Sequence, residues 1–194
     1  MSLDGVLDSP GGEAEGHRSG GWVAQTKFVP EAFSLKAEEL ADTTALMFGR
    51  RSYDAFAPIW PGSEDHAAYK DLPKYVLSTT LADDDLIDDW GPITILRSVE
   101  DVAALKREQG GSIFIHGSAE LARRLGDADL IDRYNLLVFP VLLGAGESLF
   151  GREDVDKRNL ELRDSATYAN GVAKLVYDVA VTAPTAVGPA IRSG

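Results

Sequence analysis

Short apolar runs alternate with segments of helical periodicity through the middle of the chain. After Pro30, the apolar residues Phe33, Leu35, Leu40 and Ala41 recur near a period of 3.6 residues, which predicts a helix that starts there. Further helices are predicted from Arg50 to Phe56, from Val99 to Gln109 and from Ala119 to Leu125. The apolar runs between them predict buried strands at residues 44–48, 74–78, 93–96, 112–115 and 134–141.

This order of elements indicates the fold class and the extent of the domain. Alternating strands and helices predict a three-layer α/β fold, with helices flanking a central mixed, mostly parallel sheet. Asn170-Gly171 separates two alternating stretches and predicts a C-terminal antiparallel hairpin. Glycine-rich residues 5–21 predict a loop, and we expect one domain over residues 1–182 followed by a flexible tail at 183–194.

Composition excludes several classes of function. The 194 residues carry a formal net charge of −12, which argues against a nucleic-acid partner because such proteins need a basic surface. The absence of cysteine and the dispersed positions of the three histidines argue against a metal site. No apolar run reaches the length of about 18 residues that a membrane helix needs, so we expect a cytoplasmic protein without a membrane partner.

Three predicted turns carry residues suited to binding phosphate at the carboxyl ends of strands. Each turn joins or follows a predicted strand, where ligands bind in open α/β sheets. Together they predict a crevice for an extended phosphate-bearing ligand such as a dinucleotide. The glycine-rich Rossmann fingerprint and the P-loop are both absent, which disfavours an ordinary Rossmann dehydrogenase or an NTPase. The turns are Phe48-Gly49-Arg50-Arg51-Ser52, Leu77-Ser78-Thr79-Thr80 and His116-Gly117-Ser118-Ala119-Glu120.

These turns, with four further motifs, resemble the dihydrofolate-reductase-like superfamily. The closer resemblance is to the reductase domain of the bifunctional riboflavin-biosynthesis deaminase-reductase and its small stand-alone relatives, and it covers about residues 2–180. The further motifs are Ser2-Leu3-Asp4-Gly5, Lys74-Tyr75-Val76-Leu77-Ser78, Leu130-Ile131-Asp132-Arg133-Tyr134 and Pro140-Val141-Leu142-Leu143-Gly144-Ala145-Gly146.

The resemblance implies an NADPH-dependent reductase of a small heterocyclic or ribosyl-pyrimidine substrate, similar to 5-amino-6-(5-phosphoribosylamino)uracil reductase. It places Asp4 at the catalytic, substrate side of the nicotinamide, and Trp22 on the loop that covers that pocket. Ser2, Gly5 and His116 complete the implied substrate contacts. The implied cofactor-binding residues are Gly49, Arg50, Arg51, Ser52, Leu77, Ser78, Thr79, Thr80, Gly117, Ser118, Ala119 and Glu120. Since relatives often form dimers, we also expect a homodimer.

The sequence departs from these relatives at three points. They usually open with a central strand ahead of the Ser-x-Asp-Gly motif, whereas this sequence opens at Met1-Ser2, so we expect the first strand to be missing and the sheet to contain a gap. Riboflavin reductases generally carry an acidic residue at the position of His116. Dihydrofolate reductases carry a buried carboxylate near the position of Phe33, where Glu31 is the nearest acid.

These departures leave alternative interpretations open. The chain is either a reductase or a non-catalytic nucleotide-binding module on the same fold, with dihydrofolate reductase as a third candidate. Arg50 and Arg51 are cofactor ligands or a solvated helix start with surface ion pairs. His116 is a substrate contact or a core histidine, and Asp4 is a substrate-side group or a cap for the turn at Gly5.

Overall fold

The protein is described by a computed structural model that covers residues 1–12, 16–108, 110–150 and 157–180. The predicted tail at residues 183–194 lies outside this range. The helices are α1 (Ser34–Asp42), α2 (Arg50–Phe56), α3 (Val99–Glu108) and α4 (Ala119–Asp127). The strands are β1 (Thr43–Gly49), β2 (Lys74–Leu77), β3 (Ile93–Leu96), β4 (Ser112–Ile115), β5 (Arg133–Val138), β6 (Leu160–Thr167) and β7 (Ala173–Val179). Short 3-10 helices lie at Pro30–Phe33, Trp60–Gly62, Glu64–Tyr69 and Asp83–Asp85.

The α/β fold predicted from the sequence is confirmed, with strand and helix alternating in the expected order. The helix predicted to begin at Pro30 starts as a 3-10 turn and becomes α-helical at Ser34. The strand predicted to reach Val141 ends at Val138, because Pro140 has no N–H for a ladder hydrogen bond. Asn170-Gly171 lies in the turn that joins β6 and β7 in an antiparallel hairpin, as predicted.

The strands form two sheets rather than one mixed sheet. A parallel sheet has the order β3-β2-β1-β4, and an antiparallel sheet has the order β5-β7-β6. β4 ends the first sheet and β5 ends the second. At the end of β5 and just after it, the segment Met1–Leu3 runs parallel to residues 137–141, and the Leu3 N–H donates to the Val141 carbonyl over 2.8 Å.

Burial explains why the parallel sheet forms where it does. All four residues of β2 are buried, and β1 is buried from Ala45 to Phe48, because helices cover both faces. On one face Leu46 and Phe48 pack with Trp90. On the other face Met47 packs with Leu121 and Leu125 of α4. The buried strands therefore give a rigid support to the turns at the carboxyl end of the sheet. Within the described residues, no helix has the length and apolar character required to cross a bilayer.

Candidate functional site

A cavity of about 600 Å³ opens at the carboxyl ends of the parallel strands. Its volume falls within the range of about 300–1,000 Å³ that is typical of ligand sites. Each of the three turns singled out in the sequence contributes to its wall. All twelve residues implied as cofactor contacts lie in the lining, together with His116. The structure therefore brings the three turns to one place.

A network of hydroxyl groups joins the first turn to the third. The Ser118 hydroxyl donates to the Ser52 hydroxyl over 2.5 Å and accepts from the Gly49 N–H over 3.2 Å. Ser52 belongs to the first turn of α2, and Ser118 is the residue that precedes α4. These bonds fix the starts of the two helices relative to each other.

The turn before α4 has an uncommon backbone conformation. Gly117 and Ser118 both lie in the left-handed region, with φ values of 65° and 56°. For a serine this conformation is strained, and such strain often occurs at functional sites. The turn brings the start of α4 to the cavity, where Ala119 and Glu120 join the lining. Because the first N–H groups of a helix lack partners within it, this end of α4 suits an anion.

The second turn is held from within by Ser78. Its hydroxyl accepts the backbone N–H groups of Thr80 and Leu81 over 3.2 and 3.0 Å. Arg97, which the sequence analysis did not single out, donates from Nη1 to the carbonyls of Ser78 and Leu81. Thr79 and Thr80 are exposed and line the cavity. The turn is therefore rigid, and its two threonines are the side chains free to meet a ligand.

The two arginines of the first turn differ in their environment. The Arg50 guanidinium is bound to the carboxylate of Asp54, one turn further along α2, with Nε–O distances of 2.9 and 2.8 Å. Arg51 lines the cavity, and within the described ranges no carboxylate pairs with it. Arg124 of α4 shares both properties, and the sequence analysis did not single it out.

Aromatic rings form another part of the lining. Phe56, Trp60 and His116 line the cavity together with the exposed Ile59. We call these four residues the aromatic wall. Burial, with smaller effects from Lys36 and His66, lowers the pKa of His116 to about 3, so its imidazole is neutral at physiological pH. From its position between Pro58 and Pro61, Trp60 could be predicted either as a packing residue or as part of a pocket wall.

The N-terminal motif lies elsewhere. Among the described residues, Ser2, Asp4, Gly5 and Trp22 are not part of the cavity lining. The Asp4 carboxylate accepts the Ser2 hydroxyl over 2.6 Å and the N–H groups of Leu143 and Gly144 over 3.2 and 2.7 Å. These hydrogen bonds lower the pKa of Asp4 to about 2.

The segment that follows this motif does line the cavity. Residues 7–12 form part of its wall, and the sequence analysis noted them only as part of a glycine-rich loop. Trp22 is buried and supports this segment, since its indole N–H donates to the Asp8 carbonyl over 2.8 Å. Glu147 also lines the cavity, and its backbone N–H donates to the Asp8 carboxylate over 2.7 Å.

Comparison with known proteins gives consistent results. A profile of the RibD C-terminal domain matches residues 1–174. The uncharacterized protein YyaP of Bacillus subtilis (strain 168) is 29% identical over 185 residues, which cover 91% of this chain and 90% of that protein.

Two solved structures share the fold at low sequence identity. A putative riboflavin biosynthesis protein from Shewanella sp. PV-4 has a TM-score of 0.72 at 21% identity, covering 93% of this chain and 96% of its own. A pyrimidine reductase-like protein from Corynebacterium diphtheriae has a TM-score of 0.61 at 14% identity, covering 93% and 89%.

Proposed function

Because the chain belongs to the RibD C-terminal domain family, the family that its motifs resemble, we propose that it is an NADPH-dependent reductase of a small heterocyclic substrate. The observation that carries this proposal is the convergence of the three strand-end turns on one cavity. A putative riboflavin biosynthesis protein and a pyrimidine reductase-like protein share the fold, which supports a ring substrate of this kind.

The cavity residues suit a dinucleotide phosphate. The start of α4 offers N–H groups to an anion, and Arg51 and Arg124 offer guanidiniums that no described carboxylate neutralises. Thr79 and Thr80 add exposed hydroxyls at the end of β2. We assign the 2′-phosphate to the side of Arg51 and the threonines, and the pyrophosphate to the turn at Gly117 and Ser118.

Positioning is the main contribution that these residues would make to the reaction. NADPH supplies a hydride to an electrophilic carbon of the substrate. The hydroxyl network and the rigid turn at Ser78 fix the walls against which the cofactor would lie. Holding donor and acceptor carbons in contact accounts for much of the rate enhancement in such reactions.

Asp4 takes a positioning role in this proposal. With a pKa lowered to about 2 by its three hydrogen-bond donors, its carboxylate is ionised at neutral pH and has no proton to give. It ties the N-terminal motif to the loop at Leu143 and Gly144. Ser2 donates its hydroxyl to Asp4 and accepts the Gly5 N–H at its carbonyl, and Trp22 supports the cavity-lining segment through Asp8. The motif thus shapes the substrate side from behind the cavity wall.

Cofactor titration tests the proposal. We expect the full chain to bind NADPH with a dissociation constant near 1 μM, or about −8 kcal/mol, and NADH more weakly. Arg51→Ala should weaken NADPH binding about tenfold or more and leave NADH binding nearly unchanged, because NADH has no 2′-phosphate. Arg50→Ala should have a smaller effect, since Asp54 already binds its guanidinium.

A matched control separates a local contact from general charge. Arg107 is exposed on α3 outside the cavity lining, and Arg107→Ala removes the same charge. It should change neither affinity. Equal losses of NADPH and NADH affinity in Arg51→Ala would contradict the assigned 2′-phosphate site, and absence of NADPH binding by the folded protein would contradict the proposed function.

A non-catalytic nucleotide-binding module remains the second candidate. It is favoured by the position of Asp4, which lies outside the cavity lining and holds no proton. Tight NADPH binding without oxidation of the cofactor, over a panel of pyrimidine and pteridine substrates that includes dihydrofolate, would support this candidate. Oxidation of NADPH by any member would support the reductase.

A further inference from the structure

Arg97 lies beside the second turn because of the register of the parallel sheet. β2 and β3 pair Leu77 with Leu96, so the two strands end together and the residues that follow them are neighbours. The Ser78 N–H donates to the Leu96 carbonyl over 2.9 Å, which extends the pairing by one residue. Arg97 therefore lies next to the turn, but it is not part of the cavity lining.

The guanidinium of Arg97 holds two carbonyl groups of the turn at once. Its Nη1 atom carries two hydrogens and donates to the carbonyls of Ser78 and Leu81 over 2.9 and 2.7 Å. Because these carbonyls stand at the two ends of the turn, one side chain fixes the whole turn. In the described part of the chain, the guanidinium bonds only to these carbonyls and no carboxylate pairs with it.

The backbone of Arg97 is itself fixed by the start of α3. The Asp101 carboxylate accepts the N–H groups of Arg97 and Ser98 over 2.9 and 3.0 Å, and the Ser98 hydroxyl accepts the Asp101 N–H over 3.1 Å. This reciprocal arrangement caps the first turn of the helix. The point from which the Arg97 side chain extends is therefore determined by a helix cap.

Binding of the Ser78 carbonyl determines where the next N–H group points. The peptide bond between Ser78 and Thr79 is trans, so its N–H points away from its carbonyl and hence away from Arg97. Among the described residues the Thr79 N–H has no hydrogen-bond partner, whereas the Thr80 and Leu81 N–H groups donate to the Ser78 hydroxyl. Since Thr79 is exposed and lines the cavity, an unpaired backbone donor accompanies the threonine hydroxyls there.

We propose that Arg97 is a positioning residue for the 2′-phosphate of NADPH. Arg97 does not touch the phosphate. By binding the Ser78 carbonyl it aims the Thr79 N–H at the cavity, and its charge polarises that peptide group, which strengthens the N–H as a donor. A phosphate beside Thr79 and Thr80 would receive this N–H together with the two hydroxyls. The inference rests on the reductase function proposed above and adds a residue on which the assigned 2′-phosphate site depends.

Two adenosine nucleotides isolate the 2′-phosphate from the rest of the cofactor. Adenosine 2′,5′-bisphosphate carries this phosphate, and adenosine 5′-monophosphate lacks it. Each is titrated calorimetrically into the full chain and into Arg97→Met, in which a side chain of similar length has neither donor nor charge. We expect Arg97→Met to bind the bisphosphate about tenfold more weakly and the monophosphate as the wild type does. Equal losses for the two nucleotides, or no loss, overturn the proposal.

Two further variants separate positioning from general charge. Because a single nitrogen of Arg97 makes both hydrogen bonds, the ammonium of Arg97→Lys can replace it and should restore bisphosphate affinity to within about threefold of wild type. Arg107→Met is the matched control, since Arg107 is exposed near the end of α3, outside the cavity lining. It should change neither affinity. Bisphosphate binding by Arg97→Lys or Arg107→Met as weak as that by Arg97→Met overturns the proposal.

A double-mutant cycle tests whether Arg97 acts through the turn. Replacement of both Thr79 and Thr80 by alanine should weaken bisphosphate binding about tenfold in the wild-type background. In the Arg97→Met background the same replacement should cost less than about threefold, because the turn no longer presents the hydroxyls. Losses that simply add would show that Arg97 acts by its charge alone, and would overturn the proposal.

Amide resonances of the wild-type protein give a readout that requires no variant to fold. When the bisphosphate binds, the Thr79 amide proton should shift downfield, since its N–H gains an acceptor. The Leu81 amide proton should shift little, because it already donates to Ser78. A Thr79 resonance that does not respond to the bound bisphosphate overturns the proposal. Failure of the wild-type protein to bind NADPH and the bisphosphate would overturn the proposed function as well, so the two failures are distinguishable.

Discussion

Different chemical groups hold the two sides of the cavity. On the side of the parallel sheet, the hydroxyls of Ser52, Ser78 and Ser118 bind one another or backbone N–H groups. On the N-terminal side, the carboxylates of Asp4 and Asp8 accept backbone N–H groups from the loop at residues 143–147. Serine hydroxyls keep their charge state at any accessible pH, whereas carboxylates take up protons in acid. The hydrogen bonds of Asp4 on the N-terminal side therefore depend on pH, whereas those of the three serines do not.

The largest effect should come from the tight junction on the carboxylate side. Gly146 has a φ of 121°, and a Cβ atom there would lie 2.7 Å from Cγ1 of the buried Val6 and 3.0 Å from the Asp8 carboxylate. Gly146→Ala should therefore destabilise the protein by about 3 kcal/mol. Chemical denaturation followed by circular dichroism measures this loss.

Gly117→Ala provides the matched substitution on the hydroxyl side. Gly117 has a φ of 65°, but the nearest atom to an added Cβ would be Phe56 Cζ at 3.8 Å. Only the backbone penalty applies, so the loss should be about 1 kcal/mol. Similar losses at Gly117 and Gly146 would show that the junction at Gly146 can yield and that the two walls do not differ in tightness.

An intermediate effect is expected for the hydroxyl anchor itself. Ser78→Ala removes the acceptor of the Thr80 and Leu81 N–H groups, and should cost about 1–2 kcal/mol of unfolding free energy. The cost should be the same at neutral and acidic pH, because no titratable group is lost. Thr79→Ala, at the exposed neighbouring position, should cost less than about 0.5 kcal/mol. A pH-dependent cost of Ser78→Ala would show that the hydroxyl side of the cavity also depends on pH.

The smallest effect, and the most specific, concerns the pH dependence of Asp4. Its pKa falls from 3.8 to about 2 on folding, so the native state holds the proton less tightly than the unfolded chain. The stabilisation is complete above pH 3.8 and is lost as the pH falls towards 2. Asp4→Asn should be less stable than wild type at neutral pH, and the difference should shrink across this window. A difference that stays constant down to pH 2 would show that the charge of Asp4 contributes nothing.

The order of elements could be predicted because the strands of the parallel sheet are short, apolar and buried on both faces. One residue of β2 does not follow this apolar pattern and shows what the reasoning cannot predict. Its first residue, Lys74, is fully buried, although lysine is normally an exposed residue. Its ammonium donates to the carbonyls of Tyr69 and Lys70 over 2.7 and 2.5 Å and lies over the Trp90 ring. No local sequence pattern predicts that these two carbonyls accept hydrogen bonds from a buried lysine.

For the site as well, local sequence patterns predict one part, and contacts between distant segments determine the rest. The three turns could be recognised because each follows its own strand, and parallel strands bring their carboxyl ends together. The division into two sheets could not be predicted, because it depends on pairings between distant segments. Of the aromatic wall, only His116 was a candidate from the sequence. The wall as a whole could not be predicted, because Phe56, Trp60 and His116 come from three segments and only tertiary packing brings their rings together.

The topology of the two sheets also determines the order in which the chain can fold. β6 and β7 meet across the turn at Asn170-Gly171, so their pairing closes a very short loop. β1 and β4 pair Leu46 with Phe114, and α2, β2, β3 and α3 must be accommodated between them. The entropy of closing so long a loop is lost before the parallel pairing repays it. The hairpin should therefore form early, and the rate of refolding should be set by the sheet that carries the cavity.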